Sequence, residues 1–191
     1  MRKQKSTASA ETLSPEYSLD SFVVRPSNAL ALETAKAIIK EPGIKHNPFF
    51  IYGEHDAGKT HLLRAIGSAI SNRHHGARVL YTTSKQFNKK MSGDKTGSFY
   101  QECLGLDCLL MDDVHFLNAL GQEQFLRVMT CFIETHKQIV ASADRQVMEL
   151  FHFSPLRARL IDRLQWGMIA DVRSGGSKAK TPTSRKKGRQ P

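Results

Sequence analysis

The 191-residue sequence has few cysteines and no long hydrophobic run. Its cysteines, Cys103, Cys108 and Cys131, form no C-x-x-C pair, so we expect reduced thiols and neither a disulfide framework nor a zinc site. No apolar stretch approaches the ~18 residues that a membrane-spanning helix needs. The first residues also lack the apolar core of a secretory signal. These absences predict a protein of the reducing cytoplasm.

Acidic residues are scarce at the two ends of the chain. The net charge is +10, and the last nineteen residues, 173–191, hold seven Lys or Arg and no acid. Without these ends the charges nearly balance, which predicts basic arms that meet an anionic partner such as nucleic acid. The alternative is a solvated tail that only aids solubility. We expect disorder in residues 1–15 and 173–191 and one folded domain over residues 16–172.

Strand-like and helix-like segments alternate along that domain. Buried strands are predicted at residues 49–52, 78–83, 107–112, 138–142 and 166–172. Helices are predicted at residues 28–40, 59–73, 84–91, 99–104, 121–135 and 155–164, with Ser27 and Ser84 as N-caps of the first and third. The alternation predicts an α/β fold with a five-stranded, mostly parallel sheet flanked by helices.

The stretch GEHDAGKT, Gly53–Thr60, has the spacing G-x-x-x-x-G-K-T between a buried strand and a helix. Backbone N–H groups in such a loop surround a phosphate, and the following helix points its positive end toward it. Lys59 is predicted to reach the outer phosphates and Thr60 to offer its hydroxyl to Mg²⁺. The predicted nucleotide-binding residues of the loop are Gly53, Ala57, Gly58, Lys59, Thr60 and His61.

Two acidic residues, Glu54 and Asp56, stand in this loop where they would repel a triphosphate. Because main-chain amides do most of the binding, we expect Glu54 and His55 to point outward. Asp tolerates positive φ better than most residues, so the turn can survive Asp56. A carboxylate of Asp56 that faced the nucleotide would weaken binding.

The run CLLMDDVHFL, Cys108–Leu117, is an apolar strand that ends in two carboxylates. Asp112 is predicted to hold Mg²⁺ through water, and Asp113 to orient or polarise an attacking water. The alternative is an ordinary polar transition from strand to loop. The position of the pair after the loop, with one strand between, favours the functional interpretation.

Several segments together resemble the AAA+ domain of the bacterial DnaA replication initiators. They include NPFFIYGEHDAGKTHLLRAIGSAI, RVLYTTSKQF, DCLLMDDVHFL, KQIVASADR and RARLIDRLQWGMIADV, in order and over residues 17–172. The resemblance implies a P-loop NTPase that binds ATP with Mg²⁺.

Residue roles follow from this resemblance by position. Asp144 falls on the sensor 1 position, which reads the γ-phosphate, and Arg163 falls on the arginine finger, which acts on ATP held by a neighbouring subunit. Arg159 matches a second arginine of the subunit interface. Val23 and Val24 lie where the family packs against adenine. Without the resemblance, Arg159 and Arg163 would be ordinary charges on a helix surface.

The sequence also departs from the family. Glu54, Asp56 and Arg25 stand where glycine is usual, and His115 replaces a glutamine. The stretch that grips single-stranded DNA in the family is shorter here, which leaves Lys89, Lys90 and Lys95 as candidates to contact phosphates or as a solvated lysine face. The sequence ends before the family's helical lid and helix-turn-helix reader, so we expect weakened ATP affinity and hydrolysis and no specific duplex recognition.

These features predict an ATP-binding protein that acts in or regulates replication initiation and associates with itself or with a full-length initiator. At most it is a weak ATPase. One alternative is a hydrolysis-deficient partner that caps or inhibits initiator assembly. Others are a non-specific DNA-binding module that works mainly through the basic tail, and a degraded copy without a retained role.

Overall fold

A computed structural model describes residues 17–153 and 156–172, and the predicted disordered stretches 1–15 and 173–191 lie outside it. The strands are β1 (Phe49–Tyr52), β2 (Val79–Thr83), β3 (Cys108–Asp112), β4 (Gln138–Ala143) and β5 (Met168–Asp171). The helices are α1 (Ala29–Lys40), α2 (Lys59–Arg73), α3 (Ser84–Gly93), α4 (Ser98–Leu104), α5 (Ala119–Glu134), α6 (Val147–Phe153) and α7 (Ala158–Leu164). A short 3-10 helix covers Val114–Phe116.

The five strands form one sheet in the order β2-β3-β4-β1-β5, and every neighbouring pair is parallel. The predicted five-stranded α/β sheet is therefore confirmed, and it is parallel throughout. All carboxyl ends of the strands lie along one edge of the sheet, which we call the carboxyl edge. The opposite edge, where the strands begin, is the amino edge.

Each face of the sheet carries its own apolar layer, because successive residues of a strand point to opposite faces. Phe50 on β1 packs in the layer that holds Phe87, Phe125 and Phe132 from α3 and α5. Its neighbours Phe49 and Ile51 pack in the layer formed with α1 and α2, which includes Leu62, Leu63 and Ile66. Strands buried on both faces explain why the apolar runs in the sequence are nearly continuous.

Several helix starts differ from the prediction: α4 and α5 begin at Ser98 and Ala119 rather than at residues 99 and 121, and the N-terminal ends of three other helices differ as follows. The N-cap of α1 is Asn28 rather than Ser27, and its side chain contacts the preceding segment instead of capping the helix. The N-cap of α3 is Thr83 rather than Ser84, because Thr83 and Gln86 form a capping box. The helix predicted from residue 155 begins at Ala158, since the N–H of Arg157 donates to the Gln122 side chain at 2.9 Å and its backbone is extended.

Two elements were missed entirely. The 3-10 helix follows directly on the acidic pair, and α6 lies in a stretch for which the sequence predicts neither a helix nor a strand. Both are short, and α6 spans less than two turns, so hydrophobic periodicity gave little signal for either.

The three cysteines are free, and burial raises the pKa of the Cys103 thiol to about 12. No helix among residues 17–153 and 156–172 combines the length and apolar character needed to cross a bilayer.

Candidate nucleotide-binding site

The loop between β1 and α2 has the backbone shape of a phosphate-binding turn. Gly58 stands at the N-cap of α2 with φ +98°, a left-handed conformation that favours glycine. Gly53 lies so close to the Val172 carbonyl oxygen that a Cβ there would approach it to 2.1 Å. Among the described residues no side chain caps the first turn of α2. The helix therefore presents its first N–H groups at the loop, as anion binding requires.

The acidic side chains of the loop, Glu54 and Asp56, are exposed to solvent; the sequence predicted this for Glu54 and left it open for Asp56. Glu54, His55 and Asp56 are all exposed, and His55 Nδ1 lies 2.9 Å from Asp56 Oδ2. The φ of Asp56 is +57°, so an Asp does occupy the left-handed turn. The loop thus keeps its shape with both acids outside it.

The ammonium group of Lys59 lies inside the loop. Its Nζ donates to the carbonyl oxygens of Gly53 at 2.9 Å and Glu54 at 2.8 Å, and the side chain is buried. The lysine is therefore held at the centre of the turn, next to the helix N-terminus. The positive charge of Lys59 thus lies next to the free N–H groups at the start of α2.

Asp112 ends β3 directly beside this loop and is only 2% exposed. Three hydroxyl groups donate to its carboxylate: Thr60 at 2.7 Å and Tyr81 at 2.8 Å to Oδ2, and Ser142 to Oδ1. A buried carboxylate needs such donors, because burial without them is costly. The contact with Thr60 joins the two residues predicted to bind Mg²⁺.

Asp113 turns away from the strand in a left-handed conformation, with φ +57° and ψ +52°. Its N–H donates to Ser142 Oγ at 3.0 Å, and the Ser84 hydroxyl donates to its carbonyl oxygen at 2.7 Å. Burial, reinforced by the negative charge of Asp112, raises the pKa of the Asp113 carboxyl group. A carboxyl group with a raised pKa at the end of a strand is suited to proton handling.

Asp144 follows β4 and completes the polar rim of the carboxyl edge. The Arg145 guanidinium donates to its carboxylate at 2.9 and 3.1 Å, and these bonds lower the pKa of Asp144. His115 Nδ1 lies 3.8 Å from Asp144 Oδ1. Burial lowers the pKa of His115, against the opposing effect of Asp144. Lys59, Asp112, Asp113 and Asp144 therefore lie at the carboxyl edge of the sheet.

The segment that precedes α1, residues 17–24, lies along α2 and is called here the leading segment. His61 Nε2 lies 3.0 Å from the Ser18 carbonyl oxygen, and the Phe22 ring is buried beside Gly58. Val23 and Val24 are 64% and 56% exposed. The side chain of His61 is thus directed to the leading segment, which leaves its backbone N–H as the group that could serve a phosphate.

The structure does not bring Arg163 to this site. Arg163 lies near the end of α7, which leads into β5, so it sits at the amino edge, roughly one strand length (~13 Å) from the carboxyl edge. Its guanidinium stacks on the Trp166 ring at 3.9 Å. Arg159 on the same helix is exposed.

The three lysines predicted to contact DNA, Lys89, Lys90 and Lys95, differ in exposure, and Lys95 lies just after α3. Lys89 and Lys95 are exposed, but Lys90 is half-buried with its Nζ 4.9 Å from the Phe99 ring. The Nζ of Lys85, which was not among the predicted lysines, lies 4.9 Å from the half-exposed ring of Phe116 in the 3-10 helix. The basic face of α3 therefore presents Lys85 and Lys89, and Lys85 lies next to an aromatic ring.

Other site residues were missed because they are ordinary hydroxyl residues, two of them inside strands and one at the start of α3. Tyr81 and Ser142 contact Asp112 from the two strands that flank β3, and Ser84 contacts the backbone of both acids. Parallel pairing of β2, β3 and β4 was the only signal that could have placed them there.

The donor set at the carboxyl edge fits a magnesium nucleotide. Within the described residues, no group of three or more His, Cys, Asp or Glu side chains could hold a metal ion by itself. Thr60 and Asp112 instead supply two hard oxygen ligands, and Mg²⁺ commonly takes one or two protein oxygens and completes its shell with water and phosphate.

The sheet is parallel throughout, and the phosphate loop follows β1, the fourth strand in spatial order. The buried acid Asp112 ends β3, which lies two strands away from β1. This arrangement defines a P-loop NTPase core of the AAA+ class. The family model described as the bacterial DnaA ATPase domain matches residues 13–171. The chain therefore belongs to the DnaA ATPase domain family.

Relatives and solved structures agree with this assignment. The chromosomal replication initiator protein DnaA of Deinococcus deserti is 38% identical over 170 residues, which cover 86% of this chain and 37% of that protein. Its counterpart in Caldanaerobacter subterraneus is 39% identical over 167 residues, or 84% of this chain and 37% of that protein. This chain thus matches little more than a third of the length of these relatives.

A replication initiator DnaA structure bound to AMPPCP and single-stranded DNA superposes with a TM-score of 0.78 at 34% identity, over 84% of this chain and 51% of that one. Domain III of the Thermotoga maritima DnaA gives 0.76 at 35% identity, over 83% and 68% of the two chains. The DnaC helicase loader, at 17% identity and a TM-score of 0.68, shares the fold.

Proposed function

We propose that this chain binds Mg²⁺ and ATP at the Gly53–Thr60 loop and acts in or regulates the initiation of chromosomal replication. The observation that carries the proposal is the convergence of Lys59, the uncapped first turn of α2 and the Thr60–Asp112 pair at one point. A relative bound to the ATP analogue AMPPCP supports the same ligand.

The phosphates would be held mainly by backbone N–H groups of the loop and the first turn of α2. The positive end of the helix attracts the anion, and Lys59 adds a full positive charge close to the same place. The ammonium group would exchange its carbonyl partners, Gly53 and Glu54, for phosphate oxygens. Because Glu54 and Asp56 point into solvent, their repulsion of the nucleotide is screened.

The metal would be held at Thr60 and, through water, at Asp112. A metal held there would supply positive charge to offset the negative charge of the outer phosphates. Asp113 is the group that we propose for orienting an attacking water, and Asp144 for sensing the terminal phosphate. Val23 and Val24, which are exposed beside the loop, are proposed to cover the adenine.

Titration of the full chain with ATP and Mg²⁺ tests the proposal. Lys59→Ala is expected to weaken binding about 10- to 100-fold, since a hydrogen bond to a charged group contributes about 1.5–3 kcal/mol. Asp56→Asn is the matched control, because it removes an exposed charge from the same loop, and it should change affinity less than about threefold. No binding at millimolar ATP, or equal binding by Lys59→Ala, would refute the assignment.

We further propose that Arg163 acts on nucleotide held by a second molecule, either another copy or a full-length initiator. Its position at the amino edge, away from its own loop, supports action between molecules. Turnover is expected to be weak at most. If turnover is absent while this association persists, the chain would serve instead as a partner that caps or inhibits initiator assembly.

A second candidate function is the binding of single-stranded DNA at the basic face of α3. The half-exposed ring of Phe116 beside Lys85, with Lys89 exposed on the same helix as Lys85, favours it, because bases stack on aromatic rings while lysines contact phosphates. A structural relative is described as bound to single-stranded DNA.

This second candidate is tested by the affinity of the full chain for a single-stranded oligonucleotide. Phe116→Ala should weaken binding about 5- to 100-fold, as expected for loss of one stacked base, and Phe116→Tyr should retain it. Replacing the seven basic residues of 173–191 with Gln separates the contribution of the tail. If only the tail substitutions weaken binding, the face of α3 has no role in it.

A further inference from the structure

One buried hydroxyl group connects the two acidic residues at the end of β3. Ser142 is fully buried on β4, the strand next to β3. Its hydroxyl donates to Asp112 Oδ1 and accepts the N–H of Asp113 at 3.0 Å. Because the Asp113 N–H can only donate, the hydroxyl hydrogen of Ser142 is left for the carboxylate of Asp112. A single side chain thus fixes the orientation of one acid and the backbone of the other.

The second contact matters because Asp113 adopts a costly conformation. A left-handed backbone at a residue other than glycine costs of order 1–3 kcal/mol and persists only where the surroundings hold it. Here Ser142 holds the amide of Asp113, and Ser84 holds the carbonyl oxygens of Asp112 and Asp113 at 3.1 and 2.7 Å. Hydrogen bonds with the hydroxyl groups of Ser142 and Ser84 therefore hold the backbone between Asp112 and Asp113.

We propose that Ser142 is a positioning residue that sets both carboxylates for the magnesium nucleotide. Asp112 is the metal-side acid and Asp113 the water-side acid, so this inference rests on the proposed function. Thr60 and Tyr81 both donate to Oδ2 of Asp112, which leaves Ser142 as the hydroxyl that holds the other oxygen. When Thr60 turns to the metal, Ser142 and Tyr81 keep the carboxylate in place.

Ser142 also links the acids to the strand that leads to Asp144. Ser142 and Asp144 are two positions apart on the same chain segment, across the end of β4. Ser142 thus joins both acids by hydrogen bonds to the chain segment that carries Asp144.

Two measurements test the proposal on Ser142→Ala, Ser142→Thr and the control Thr82→Val. Thr82 is also buried, but its hydroxyl donates to the Thr83 carbonyl oxygen and not to either acid. The first measurement is a crystal structure of each variant without nucleotide. Ser142→Ala should displace the Asp112 or Asp113 carboxylate or move Asp113 out of the left-handed region, while Ser142→Thr and Thr82→Val should leave both in place. Unmoved acids in Ser142→Ala would overturn the proposal, whether or not the chain binds ATP.

The second measurement is the ratio of the ATP dissociation constants without and with Mg²⁺. Loss of a group that orients a metal ligand typically costs 10- to 100-fold in metal affinity. Ser142→Ala should therefore reduce the gain in ATP affinity that Mg²⁺ produces by about tenfold or more. Ser142→Thr should restore it and Thr82→Val should leave it unchanged. An unchanged gain in Ser142→Ala contradicts the proposal, whereas failure of the wild-type chain to bind ATP counts against the proposed function and leaves the crystallographic test intact.

Discussion

Two carboxyl groups at the carboxyl edge have pKa values shifted in opposite directions. Burial and the charge of Asp112 raise the pKa of Asp113. Hydrogen bonds from Arg145 lower the pKa of Asp144. The protein environment therefore destabilises the charged form of Asp113 and stabilises the charged form of Asp144. Neighbouring residues of the same type thus suit different roles, one in handling a proton and one as a fixed negative charge.

The opposite shifts predict opposite effects of removing each charge on stability. Because the pKa of Asp113 is raised in the folded chain, stability starts to fall as pH rises above the ordinary carboxyl pKa of about 3.9, and the full loss is reached above the raised pKa. Asp113→Asn should therefore raise the melting temperature at neutral pH. Asn tolerates the left-handed backbone about as well as Asp, so the substitution adds little strain. Thermal unfolding between pH 3 and pH 8 measures the effect.

Asp144→Asn is the matched variant with the opposite sign. The charged form of Asp144 contributes stability above the ordinary carboxyl pKa, and that contribution is lost as pH falls through its lowered pKa. Asp144→Asn should lower the melting temperature at neutral pH, and its difference from wild type should shrink in acid. If both variants shift the melting temperature in the same direction at pH 7, the proposed difference between the two environments is wrong.

At the level of elements, the start of α3 shows how a tertiary contact moved a helix cap by one residue. Both Thr83 and Ser84 are chemically suited to capping. The hydroxyl of Ser84 is taken by the carbonyl oxygens at the end of β3. Thr83 therefore accepts the N–H of Gln86 at 3.3 Å, and the Gln86 side chain accepts the N–H of Thr83 at 3.0 Å. The helix begins where the cap is free to form.

The capping box predicts a specific loss of stability. Thr83→Ala should lower the free energy of unfolding by about 1 kcal/mol, because it removes the acceptor for an N–H in the first turn of α3. Thr83→Ser keeps a hydroxyl at the same position and should retain most of that stability. Urea denaturation of the three proteins, compared at an unchanged m-value, measures the difference. A loss in Thr83→Ser equal to that in Thr83→Ala would show that the lost methyl packing, not the cap, is responsible.

At the scale of the whole molecule, the parallel sheet separates the phosphate loop from Arg163. The loop lies at the carboxyl edge and Arg163 at the amino edge, so contact between them requires two molecules. Because the two surfaces differ, such a contact is heterologous and can continue from copy to copy. The guanidinium of Arg163 stacks on the exposed Trp166 ring, which would reduce the entropy lost in the proposed association.

This separation predicts a complementation result with two defective variants. Arg163→Ala retains the loop and Lys59→Ala retains the arginine, so neither should associate with itself in ATP. A mixture of the two should form pairs but no longer species, because only one of the two possible contacts is intact. Sedimentation velocity measures the size distribution. Arg127→Ala, which removes an exposed arginine paired with Glu123, is the control and should associate like wild type.

Failure of the mixture to form pairs, while wild type associates, would place the contact elsewhere. The exposed Arg159 on the same helix would then be the first residue to test. If wild type itself shows no association with ATP, either alone or with a full-length initiator, the assembly proposal is wrong. The nucleotide proposal does not depend on that outcome.

The sequence by itself determined the class of fold and the residues of the phosphate loop. Apolar runs set the strands, the alternation with helices made the sheet parallel, and the spacing of Gly53, Gly58 and Lys59 marked the loop. These features are local, because a turn or a buried strand is encoded in a few consecutive residues. Even the tolerance of Asp56 for positive φ followed from its residue type.

Only the tertiary structure decided which hydroxyl groups hold the acids and where the charged residues face. Tyr81, Ser84 and Ser142 come from three segments and meet Asp112 and Asp113 only because β2, β3 and β4 are neighbours in space. A serine or tyrosine in an apolar strand carries no mark of its partner, since hydrogen-bond partners across a sheet are set by strand order and register. The phosphate loop is thus a local property of the sequence, and the orientation of its acids is a property of the assembled sheet.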